Sequence, residues 1–130
     1  QIIEKKISPN KRQIKLKNGR ITPDQDLGTR HSIFVPFFGI PTSTVTSISF
    51  LSKLYQTPIV PVFCVKHDTA PYYHIYFLPA MGPFTGKDLT HEATQVNACI
   101  ETAIRKQISG YLWSHRRFKT RPDTEQIDFY

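Results

Sequence analysis

The sequence is short of several things, and each shortage excludes a class. Two cysteines in 130 residues, Cys64 and Cys99, are too few for a disulfide scaffold or a cysteine-rich zinc site. No apolar run approaches the ~18–20 residues of a membrane span, and no secretory signal opens the chain. Acidic residues are scarce, ten Asp plus Glu against 17 Lys plus Arg, for a formal net charge of +7. There is one methionine, Met81, and the chain opens on Gln1. The expectation is therefore a processed protein or a piece of a longer one. No internal repeat, Gly-x-Ser-x-Gly elbow or Walker-type phosphate loop is present.

What is present suits one packed domain. Hydrophobic residues make up 39%, with nine Phe, six Tyr and one Trp among them. The positive charge is uneven. Residues 1–20 carry Lys5, Lys6, Lys11, Arg12, Lys15, Lys17 and Arg20 against Glu4 alone. A second cluster, His115, Arg116, Arg117, Lys119 and Arg121, lies near the other end. Such clusters are either solvated faces or attractors of polyanions such as phosphorylated lipid, an anionic membrane, an acidic protein or nucleic acid.

Periodicity gives the elements. Residues 13–17 alternate, and Asn18-Gly19 predicts a turn with Arg20-Ile21-Thr22 returning as the second arm of a hairpin. Pro36 within residues 33–41 predicts an irregular apolar segment rather than a strand. Val45, Ile48, Leu51 and Tyr55, with Leu54 beside them, predict a helix over 44–55, capped by Thr42 or Ser43 and stopped before Pro58. Residues 58–65 read as a strand buried on both faces, followed by a second strand at 72–78 in an antiparallel hairpin. Asp88 caps the longest helix, about 89–108, with Leu89, Ala93, Val96, Ile100, Ala103, Ile104 and Ile108 as its apolar stripe and Gly110 beyond its end. The fold class expected is α/β, one mixed sheet flanked by helices. Cys64, in a strand, and Cys99, in the main helix, read as small buried hydrophobes.

Two segments concentrate chemistry. Asp24-Gln25-Asp26-Leu27-Gly28-Thr29-Arg30-His31 sets two carboxylates at i and i+2 before a glycine and a base; the plainer reading is a turn whose Asp side chains satisfy local amides. Trp113 to Pro122 is Arg-rich with aromatic anchors, and Arg is the side chain best shaped to grip phosphate.

Four stretches together resemble the C-terminal half of the bacterial lipid A biosynthesis acyltransferases, the lauroyl and myristoyl transferase family. They are Pro23–Gly28, Ser32–Gly39, Pro58–Phe63 and Tyr111–Pro122, in the family's order and spacing. The resemblance covers residues 22–130; residues 1–21 form a basic, weakly matching segment. It implies a partial glycerolipid-acyltransferase-like layer. It also implies transfer of an acyl chain from acyl carrier protein to a hydroxyl of a Kdo-bearing lipid A precursor, at the cytoplasmic face of the bacterial inner membrane. No metal or cofactor is implied.

The same resemblance assigns substrate binding to Asp24, Asp26, Gly28, Arg30, His115, Arg116, Arg117, Lys119 and Arg121. Gly28-Thr29-Arg30 is similar to the Gly-x-Arg element with which related enzymes hold phosphate. Phe34, Phe37 and Phe38 line an acyl pocket, touch the membrane or belong to the core. Catalysis in the family uses His-x-x-x-x-Asp/Glu, with His as general base on the acceptor hydroxyl. Here His31, His67, His74, His91 and His115 meet Pro36, Tyr72, Pro79, Val96 and Thr120 five positions on. The dyad and a membrane anchor are expected upstream of Gln1. Two readings follow: the substrate-binding part of an acyltransferase, or a catalytically dead lipid-binding remnant of one. A nucleic-acid-binding domain has charge and aromatics in its favour but no recognised motif.

Overall fold

A computed structural model describes residues 20–123 and 129–130 in full, together with the backbone of two short strands, β1 (Lys5–Ile7) and β2 (Ile14–Leu16). These two pair antiparallel with each other. The predicted hairpin therefore has a different partner: residues 14–16 pair upstream, and residues 20–22 form no strand. The side chains of the N-terminal basic cluster before Arg20, and the Asn18-Gly19 turn, lie outside the described residues.

Beyond them come β3 (Ser32–Phe37), β4 (Ile40–Val45), α1 (Ser47–Tyr55), β5 (Val62–Lys66), β6 (Tyr73–Phe77), α2 (Leu89–Lys106) and a 3-10 turn at Ile108–Gly110. The chain mixes helices and strands, as expected, but the single mixed sheet flanked by helices is not seen. Among the described residues the strands form three separate two-stranded sheets, all antiparallel.

The segment read as irregular is the β3–β4 hairpin. Phe38 and Gly39 both take positive φ, 49° and 78°, the geometry of a two-residue hairpin turn matched to strand twist. Glu101 of α2 holds that turn by accepting the Phe38 N–H at 2.7 Å. Pro36 stands opposite Pro41. The closing bond from the Thr46 N–H to His31 O makes 31 and 46 a hydrogen-bonded pair, so by antiparallel alternation 36 and 41 are a non-bonded pair. Neither proline is asked for the N–H it lacks. The hairpin also consumes Thr44 and Val45, and α1 starts at Ser47, without a Ser43 or Thr42 cap.

Helix α1 turns Ile48, Ser49 and Ser52 inward, leaving Leu54 exposed and Leu51 half-buried. Small serines allow close approach: Ser52 Oγ donates to Thr57 O and accepts the Phe84 N–H at 2.9 Å. Asp88 caps α2 as expected, accepting the His91 N–H, but the helix ends at Lys106 and Ile108 is exposed. Phe37, Ile48, Phe84, Val96, Ile100 and Ile104 form the core, with Phe38, Ile59, Met81, Tyr111 and Phe118 packed against it. The strand expected to be buried on both faces is half-open. Val62 and Cys64 of β5 are exposed, because only β6 pairs with that strand among the described residues. Cys99 is half-buried, and burial raises its thiol.

Glu92 sits inside, 6% exposed, accepting the Thr85 and Gly86 N–H groups at 2.8 and 2.9 Å. Burial works to raise its carboxyl, but the Ser49 hydroxyl and these amides outweigh it and hold it below the ordinary 4.5. Its stabilisation is therefore complete above pH 4.5 and lost as pH falls through the lower folded value. Glu92→Gln is expected to cost about 1–3 kcal/mol at neutral pH and to flatten the acid limb of stability. Urea unfolding measured across pH checks both.

Candidate functional site

The two chemistry-bearing segments meet. Asp26, 8% exposed, accepts three hydrogen bonds. Its Oδ1 takes the Gly28 N–H (2.9 Å) and the Thr120 hydroxyl (2.8 Å), and Oδ2 takes the Thr120 N–H (2.8 Å). The turn reading of this loop is thus right locally, and the same carboxylate also anchors the basic tail. Gly28 has φ 85°, where a side chain would be strained, and its carbonyl accepts the Ser43 hydroxyl.

The tail grips β4 along its free edge. In an antiparallel pair the carbonyls of alternate residues point away from the partner strand. Pro41 and Ser43 are two such residues, and their carbonyls accept from Arg121 Nη1 and Arg117 Nη1. The Arg117 Nη2 donates to Thr44 Oγ1 (3.1 Å) and, more weakly, to Asn97 Oδ1 (3.4 Å). Asn97 in turn donates to Pro36 O and Thr44 Oγ1, both at 3.0 Å. Arg117 is 2% exposed and stands 5.2 Å over the Phe37 ring. Burial lowers its pKa, opposed by Tyr111, Asp26, Asp24 and Tyr130.

Arg117, expected on a ligand phosphate, therefore faces the protein, with its hydrogen bonds going to neutral acceptors inside. Arg121 is half-buried, bonded to Pro41 and 5.0 Å over the Phe129 ring. Arg30, Arg116 and Lys119 are exposed, and His115 is half-buried. Asp24 is half-buried beside a groove, and its charge acts on Tyr111. Burial first, then Asp24, pushes the Tyr111 hydroxyl up to about 12, so it is a donor at neutral pH; that hydroxyl is buried and has no hydrogen-bond partner among the described residues. Phe37 is 0% exposed and Phe38 packs beside it, so both belong to the core; Phe34 is 37% exposed. Cys64, expected inside, is exposed.

Sequence reasoning missed Asn97, Ser43 and Thr44, all buried. The signal for Asn97 was there: at i+4 from Ala93 and i+1 from Val96 it falls on the apolar stripe, where an amide must have found partners.

The groove has a volume of about 670 Å³ and runs between residues 20–24, α1, α2 and β5. None of Phe34, Phe37 and Phe38 lines it. Among the described residues no histidine ring is bonded to a carboxylate, no cluster could hold a metal ion, and no helix is long and apolar enough to cross a membrane. What this arrangement can do is position cations beside a loop.

The family described as bacterial lipid A biosynthesis acyltransferase matches residues 11–120. A lipid A biosynthesis acyltransferase of Haemophilus influenzae is 37% identical over 111 residues, 83% of this chain and 35% of that protein. A lipid A biosynthesis palmitoleoyltransferase of Escherichia coli K12 is 35% identical over 111 residues, 82% of this chain and 36% of its own length. The Escherichia coli K12 lauroyltransferase of the same pathway is 32% identical over 112 residues, 83% and 37% of the two chains. The chain spans about a third of the length of these curated relatives.

Proposed function

Because the chain belongs to the bacterial lipid A biosynthesis acyltransferase family, we propose that residues 22–130 are the substrate-holding part of such an enzyme, preceded by the basic segment 1–21. In this reading a fatty acyl chain passes from the thioester of acyl carrier protein to a hydroxyl of a Kdo-bearing lipid A precursor. The reaction takes place at the cytoplasmic face of the bacterial inner membrane, on a partial glycerolipid-acyltransferase-like layer. A general base removes the acceptor proton, the oxygen attacks the thioester carbonyl and the carrier thiol leaves. This chain's residues bind and position; no His here is followed by the acid that would complete the dyad, and the chain alone is inactive.

One observation carries the assignment of roles. Asp26 ties the loop 24–30 to the tail 115–121, the Ser43 hydroxyl ties that loop to the β3–β4 hairpin, and Arg117 ties the tail to the same hairpin, so Arg30, Arg116 and Lys119 project from segments fixed to each other. Exposed cations on a fixed frame suit the phosphates or Kdo carboxylates of the acceptor, or the acidic carrier protein. Arg117 and Arg121 position that frame, and Phe34 is left for lipid contact.

Residues 11–120 transplanted into the matched third of the Haemophilus influenzae relative provide the test. Arg116→Gln with Lys119→Gln in that chimera is expected to raise the acceptor KM about tenfold with kcat held within about twofold. An unchanged KM removes the binding role. The missing His-x-x-x-x-acid pattern favours a second reading, a catalytically dead lipid-binding remnant. In that case the chimera binds the lipid A precursor but never turns over.

A further inference from the structure

One stretch of exposed apolar surface has no part in the site already described. Ile108, Leu112 and Trp113 are 62%, 57% and 49% exposed. Single exposed apolar side chains are ordinary, but these three cluster in the one turn that leaves α2. The turn has two sides. Gln107, Gly110 and Tyr111 line the groove, and Ile108, Leu112 and Trp113 do not. The patch is therefore turned from the groove and from the β5 edge beside it.

Hydrogen bonds within the turn keep the patch outward. The Gly110, Tyr111, Trp113 and His115 N–H groups all donate to carbonyls of residues 107–112. The Trp113 indole N–H donates to Ile108 O at 2.8 Å, and its ring stands edge-on to Tyr111 with centroids 4.9 Å apart. The indole is thus fixed beside Ile108 with its one donor already used. Entering an apolar phase leaves neither that donor nor these amides unpaired, which removes much of the usual cost of taking polar groups out of water.

Charge selects the phase. No Asp or Glu occurs between Glu101 and Asp123. Exposed Lys106 ends α2 and leads into the turn. Gln107 donates to the Lys66 carbonyl at 2.6 Å, which brings the end of β5, with its exposed lysine, to the same place. Large apolar side chains with an indole among them and lysines beside them match a bilayer interface. There indole rings sit at headgroup level and lysine stems reach the phosphates. An acidic protein is met by charge first, whereas here the apolar side chains lead.

We propose that the turn 108–113 is a membrane-contact element, seating Ile108, Leu112 and the Trp113 ring in the interface of an anionic bilayer with Lys66 and Lys106 among its phosphates. This rests on the membrane-surface location in the proposed function and adds which surface of the chain meets the lipid. It requires neither substrate nor turnover.

Trp113 is the chain's one tryptophan, so its fluorescence reports on this turn directly. The 130-residue chain is mixed with phosphatidylglycerol–phosphatidylcholine vesicles free of lipid A precursor. The expected result is a blue shift, and quenching by lipids brominated near the top of the acyl chains, with binding that weakens as salt rises. Ile108→Ser with Leu112→Ser is expected to weaken vesicle binding by about tenfold or more, and Lys66→Gln with Lys106→Gln by about tenfold. An unshifted spectrum at saturating lipid overturns the proposal. So does a shift produced by acyl carrier protein and not by anionic vesicles, which would give the turn to an acidic protein. A shift that grows with protein concentration in the absence of lipid overturns it too, by giving the turn to a second copy. Turnover is read separately, in the Haemophilus influenzae chimera on precursor dispersed in detergent. There the Ile108→Ser, Leu112→Ser pair is expected to leave kcat and KM within about twofold; a raised KM would place the turn on the substrate and overturn the proposal. The proposed activity can thus fail in the chimera while vesicle binding stands, and the reverse.

Discussion

Arg117→Met is expected to lower the unfolding free energy by about 2–4 kcal/mol, with a fall in Tm of roughly 10 °C. Methionine keeps the length of the apolar stem over Phe37 but leaves the Ser43 carbonyl without its donor and strips one donor each from Thr44 Oγ1 and Asn97 Oδ1. These atoms are buried, so water does not replace the lost partner. Removing a desolvated cation returns part of the loss, which is why the figure is not larger. Arg117→Lys is expected to recover little, because one ammonium cannot serve acceptors spread over β4 and α2. Thermal unfolding followed by circular dichroism measures both. A wild-type Tm with weakened binding of the lipid A precursor would instead place Arg117 on the ligand.

Phe37→Ala is expected to cost about 3–5 kcal/mol, much of the ~5–15 kcal/mol that holds a domain folded. The ring is 0% exposed, edge-on to Phe38 with centroids 4.9 Å apart and 5.9 Å from the Phe118 ring. Its loss leaves a hole where β3, α2 and the tail converge. Phe37→Leu, which retains most of the volume, is expected to cost about 1.5 kcal/mol or less. Denaturant unfolding gives these values directly. Because Arg117 stacks on Phe37, the double variant should fall short of the sum of the singles. Phe34→Ala is the contrast: at 37% exposure its effect on stability is expected to be under about 1 kcal/mol, and its effect should appear in lipid binding.

The elements readable in the sequence were those set by local chemistry. Asp88 before an amphipathic run announced α2, and two apolar runs around a short polar link announced β5 and β6. The β3–β4 hairpin was hidden because Pro36 is a breaker by composition and harmless by register, and register needs the partner strand. The inward turn of Arg117 was equally illegible, since an arginine in a basic run looks the same whether it faces phosphate or a strand's carbonyls. The loop at Asp24–Arg30 was read correctly as turn chemistry, yet its bond to Thr120 spans 94 positions and no spacing rule reaches that far. The covering of β5 was expected from composition and is not met among the described residues. The apolar run was legible, but the element it is apolar toward was not.

In the proposed reading this chain holds substrate for a base it does not itself supply. Acyl transfer from acyl carrier protein to lipid A precursor, assayed side by side on the 130-residue chain and on the chimera carrying residues 11–120, tests it most directly. The expected result is turnover by the chimera and none by the chain alone. Turnover by the 130-residue chain, abolished by replacing one of its own five histidines, would contradict it.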